Sequence, residues 1–136
     1  MKLENLTFNR DKKDFVATLS DLDKEYGLSL LDFDENEVEK ATKLASEICS
    51  WLESNKQSAR VFCASTLLSL KNETWLEEGE APMTNEKFVE TIELDGILAF
   101  SDGSFSLYFD DNDIFWGHAI VVEVEEGKLL DATLAG

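Results

Sequence analysis

The period of the apolar residues changes once along this chain, and that change constrains the fold more than any other feature. Val38, Ala41, Leu44, Ala45, Ile48, Trp51 and Leu52 recur at three- and four-residue spacing, with Glu39, Lys40, Lys43 and Glu47 on the opposite side. That is an amphipathic helix. From Thr91 onward the period is two and turn residues are frequent, which is the pattern of a sheet. Helices and strands are thus segregated, and tight hairpins argue for an α+β fold rather than a doubly wound parallel sheet.

Asp34 with Glu37 three residues on predicts the helix start, as a capping box in which a carboxylate replaces the hydroxyl. Ser54-Asn55-Lys56 interrupts the pattern. A second helix is predicted over Ser58 to Leu70, apolar on nearly every side and therefore central, with Asn72 as its stop. Thr84 caps a short third helix, Asn85 to Glu90. Ahead of the helices, Asp14 to Ser20 and Tyr26 to Phe33 read as a hairpin.

Four antiparallel strands are expected at the C-terminal end. They cover Ile92 to Phe100, bent at Asp95-Gly96, then Ser104 to Phe109, Gly117 to Glu125 and Lys128 to Leu134. Asp102-Gly103 and Glu126-Gly127 turn them. The expected architecture is an N-terminal β-hairpin, two to three helices, and a C-terminal antiparallel sheet of about four strands. With 136 residues and a hydrophobic fraction of 43%, residues 1–136 form a single domain able to bury a core.

Charge narrows the function classes. The 29 acidic residues against 12 basic ones give a formal charge of −17, which repels phosphate backbones and anionic membranes. No nucleic-acid or membrane partner is expected; a basic protein is the compatible partner class. Met1 to Arg10 holds no apolar run of signal-peptide length, and no segment has the length of a membrane span. A cytoplasmic location is expected. Cys49 and Cys63 lie in apolar helical segments as buried thiols, and two Cys with one His at unrelated spacings make no zinc site.

The chemistry-bearing residues concentrate in Tyr108 to His118. Asp110, Asp111, Asn112 and Asp113 precede Ile114-Phe115-Trp116-Gly117 and His118, the single histidine. A calcium loop starting at Asp111 puts Phe115 and Trp116 at the fifth and sixth positions, where a ligand and a glycine are required. One starting at Asp32 puts Glu37 at the glycine position and Lys43 at the twelfth. Both fail. Asp and Asn are also the residues by which turns bond their own backbone, and that reading is favoured. No metal and no cofactor are assigned. His118 shares the parity of Ile120 and Val122, so a structural histidine bonded to a carbonyl or turn carboxylate is favoured over an acid–base role with Asp111 or Asp113. Trp116-Gly117 marks a bulge that could line a pocket. Asp110, Asp111, Asp113, Trp116 and His118 are therefore the candidate binding residues. No Walker-type loop, GxGxxG, GxSxG, HExxH or CxxC occurs.

Leu70-Lys71-Asn72-Glu73-Thr74-Trp75-Leu76, the segment Thr84 to Ile92 with Phe88, and the run Phe109 to Val122 followed by Leu134-Ala135-Gly136 together resemble the bacterial family called domain of unknown function 2262. The resemblance covers the C-terminal half by motif and the N-terminal half by order of elements. It implies no activity, cofactor or catalytic residue. Similar small acidic bacterial proteins serve as immunity or accessory partners, which implies a binding role. The expected function is a non-enzymatic protein-binding or immunity-like module acting on a basic partner. The alternative is an enzyme or metal-dependent domain using His118 with Asp111 and Asp113.

Overall fold

A computed structural model describes residues 1–136. Three strands open the chain: β1 (Lys2–Asn9), β2 (Asp14–Asp21) and β3 (Lys24–Leu31). A 3₁₀ turn over Glu35–Glu37 leads into α1 (Val38–Thr74), and a loop leads to α2 (Asn85–Thr91). Four strands close it: β4 (Glu93–Phe100), β5 (Phe105–Asp110), β6 (Ala119–Glu125) and β7 (Lys128–Ala135). The strands make one seven-stranded sheet in the order β1 to β7, antiparallel everywhere except at the parallel β3–β4 pair. The α+β class stands, whereas the strand and helix counts are corrected: seven strands in one sheet, one long helix and one short one.

The hairpin read from Asp14 onward is β2–β3, but its turn is tighter than expected. Asp21 pairs with Lys24, so only Leu22 and Asp23 connect the strands, with Leu22 at φ 58°. β1 was not expected. Its alternation is broken by a register shift between Glu4 and Thr7, with Asn5 at φ 59°, and such a bulge hides a strand from period counting.

Two helices were expected where one exists. α1 runs 37 residues without interruption, and no Gly or Pro occurs between Val38 and Thr74 to stop it. Its buried stripe passes from Leu52 to Ala59 and on to Cys63 and Leu67 in helical phase. Asn55 bonds back to the Trp51 carbonyl and Lys56 reaches Asp21, so the polar tripeptide stays within the helix, with Ser54 exposed and Asn55 and Lys56 half-buried. The second half is not buried all round: Val61 and Leu70 remain exposed. Asn72 does not end the helix either. Its side-chain amide bonds both the N–H and the C=O of Met83 and so fastens the following loop. At the other end the Asp34 N–H donates to Glu37 Oε1 at 2.8 Å, as the capping pattern anticipates. No helix is long and apolar enough to cross a membrane.

The sheet bows around α1. Within six residues the helix meets both ends of the strand order: Trp51 Nε1–H donates to the Gly127 carbonyl in the β6–β7 turn, Glu53 pairs with the Met1 amino group before β1, and Lys56 pairs with Asp21 at the end of β2. The concave side carries Phe15, Leu19, Leu28, Leu30, Ile97, Leu107, Phe109, Ile120, Val122 and Val124, all buried in one cluster with the helix stripe. Alternation therefore sends Ser29, Gly27, Gly96, Leu98, Tyr108 and Val121 to the convex side, which no element of the chain covers.

Candidate functional site

The connection between β5 and β6, where the sequence gathers its carboxylates, is organised by Asp111. This residue is 3% exposed, and its carboxylate accepts the backbone N–H groups of Asp113, Phe115 and Gly117 at 3.2, 2.8 and 3.1 Å. Asp110 Oδ1 accepts the Asn112 N–H, and Asn112 in turn donates its amide to the Thr91 carbonyl. The chain needs these bonds because Asn112, Asp113, Trp116 and Gly117 all have positive φ, a path that offers no regular ladder for the amides. Three side-chain-to-backbone bonds on one carboxylate are what closes it.

His118 sits on the helix side. Its Nδ1 lies 2.7 Å from the Phe115 carbonyl oxygen, and a carbonyl can only accept, so Nδ1 carries the proton in this pair. The ring meets Trp75 edge-on at 5.0 Å. Trp75 also packs against Phe115 and Trp116, and Phe115 against Phe88. Trp116 caps this aromatic group with 55% of its surface open. No set of three His, Cys, Asp or Glu side chains is positioned to hold a metal ion. Among the expected site residues, Asp110 and Asp111 also border the depression described next, whereas Asp113, Trp116 and His118 do not line it.

That depression, about 600 Å³, lies on the convex face. Gly27 of β3 and Gly96 of β4 face each other across the parallel pair and form its floor. Neither glycine has a positive φ. A Cβ on Gly27 would meet nothing within 4 Å, and one on Gly96 would only touch the Gly27 carbonyl at 3.4 Å. Glycine inside an element costs about 0.5–1 kcal/mol relative to alanine, so neither backbone conformation nor close packing accounts for Gly27. What the pair does is keep the floor bare. Tyr108, the β5 partner of Gly96, stands beside it, with Ser29 and Leu98 one step along the strands. A register shift between Leu94 and Gly96 makes Asp95 an extra residue. With Leu94 and Ile97 both turned inward, the bulge puts Asp95 on the convex face next to Gly96. Asp95, Asp110 and Asp111 border the depression, and no Lys, Arg or His does.

The family model described as "uncharacterized protein conserved in bacteria" (DUF2262) matches residues 1–134. The chain is a DUF2262 protein. No curated protein and no solved structure matches it. The match reaches through β1–β3 as well as the C-terminal motifs on which the resemblance was read, so the DUF2262 unit takes in both sides of the parallel β3–β4 pair and hence the whole depression. The candidate residues read from the sequence cluster in the β5–β6 connection of the DUF2262 sheet, and of them Asp110 and Asp111 border the depression. The other lining residues Gly27, Asp95, Gly96 and Tyr108 are not among those candidates, although the sequence predicts the bend at Asp95-Gly96. A signal existed, since Gly27 and Gly96 each interrupt an apolar strand pattern, but only pairing brings the two together.

Proposed function

We propose that this protein is a non-enzymatic binding module that takes a basic protein partner on the convex face of its sheet, in the manner of an immunity protein that occupies its target. The observation that carries this reading is the uncovered convex face itself, on which half-buried Leu98 and Tyr108 surround a glycine-floored depression with a carboxylate border. A formal charge of −17 supports a basic partner, because opposite charge accelerates encounter and excludes acidic competitors. Two of the three groups that an enzymatic reading would use are engaged otherwise: Asp111 with three backbone amides and His118 with a carbonyl.

The test is capture from the native host followed by an isotherm on the purified pair. A partner with a basic surface, an affinity that weakens steeply with added salt, and loss of binding on Leu98→Lys with an unchanged melting temperature are the expected results. An affinity indifferent both to salt and to Leu98→Lys contradicts the reading.

A further inference from the structure

The depression has features that a merely uncovered sheet face does not need. Its floor is two glycines that neither φ nor crowding requires, and at Gly27 the space above is open beyond 4 Å. Its wall is an aromatic ring, Tyr108. Asp95 reaches it only because β4 carries a bulge there, and Asp110, with Oδ1 held by the Asn112 N–H, keeps its other oxygen for a ligand. The border holds carboxylates and no cation.

We propose that the depression is a receptor for one arginine side chain, presented by a basic segment of the partner, with the guanidinium lying against Tyr108 and its N–H fork directed at Asp95 and Asp110. A bare floor admits a long side chain flat against the sheet, where any Cβ at Gly27 would stand in its way. A planar guanidinium suits both surfaces at once, since it stacks on an aromatic face and donates to carboxylates in its own plane. An ammonium group meets the charge but not the stacking. This assignment rests on the binding-module reading and gives the partner's anchor a chemical identity.

Amide NMR titration with a short glycine–serine peptide carrying a single central arginine, beside its citrulline twin, tests it. Saturable shifts at Gly27, Gly96 and Tyr108 are expected with arginine and not with citrulline, which keeps the shape and removes the charge. Gly27→Val should weaken the arginine peptide by about tenfold or more while holding or raising the melting temperature, because a β-branched residue suits a strand whose added Cβ meets nothing. Asp95→Asn combined with Asp110→Asn alters the border alone and should abolish the preference for arginine over citrulline. Shifts confined to another face, equal binding of citrulline, or undiminished binding by both variants overturn the assignment. The two readings fail separately: a basic host partner held equally by wild type and Gly27→Val leaves the binding module standing and removes the arginine site, whereas no basic host partner removes the module.

Discussion

Asp111 shows how one side chain can stand in for secondary structure. Its carboxylate gathers three amides along a path with four positive φ values. Asp111→Ala strands those donors, and an unsatisfied buried amide costs about 1–3 kcal/mol. With water reaching part of the turn, a loss of about 3 kcal/mol is expected, read as a lower urea midpoint at unchanged m-value. The turn character of this run was legible from Asp and Asn alone. Which of the four would be buried was not, because that depends on the return path of Phe115 and Gly117. Cys63 gives a second residue-scale test. Burial pushes its thiol from 9.0 up to about 12. The folded chain therefore holds a proton that the unfolded chain releases, so the contribution is fully present below pH 9 and is lost as pH rises toward 12, by about 1.4 kcal/mol per pH unit. Cys63→Ala should flatten the alkaline limb of stability against pH relative to wild type.

At the scale of elements, the loop between the helices is held by α1 itself. Lys71, 1% exposed, donates its ammonium to the Trp75 carbonyl and to Glu80 at 3.0 Å, and Glu80 also accepts the Glu77 N–H. The Glu77 amide first, and then the Lys71 ammonium, hold the Glu80 carboxyl below its ordinary 4.5. A depressed carboxyl contributes stability above its unfolded value and loses it as pH falls through the folded one. Melting temperature in wild type should thus drop below about pH 4.5, and Glu80→Gln should show a lower plateau with a shallower acid limb. Sequence patterning found the caps at Asp34 and Thr84, the strand pair β2–β3 and the four C-terminal strands, since each is a local signal. It divided α1 because Ser54-Asn55-Lys56 is polar, although Leu52 and Ala59 keep helical phase across it. It missed β1 because a bulge cancels alternation. The Asp102-Gly103 turn was legible as a turn but not in type: only Gly103 has positive φ, and Phe100 bonds Ser104 across a three-residue loop.

For the molecule as a whole, a charge of −17 on 136 residues is a load that folding concentrates. Self-repulsion destabilises the compact state, and salt screens it. Raising sodium chloride from low to physiological ionic strength should stabilise the protein by about 1 kcal/mol, or roughly 3–5 °C in melting temperature. A fall instead would mean that the surface ion pairs, such as Lys56 with Asp21, outweigh the repulsion. Every antiparallel ladder here joins strands that are neighbours in sequence, whereas the parallel ladder joins Gly27 to Gly96 across about 70 residues of chain. Loop closure makes that ladder the slow one. The union of the two strand groups at Gly27 and Gly96 is therefore expected to come last in folding, which late protection of the β3 and β4 amides in pulsed hydrogen exchange would check. A ligand lying across Gly27 and Gly96 would bridge the two strand groups and is expected to act as a brake on their separation, lengthening the lifetime of the folded state.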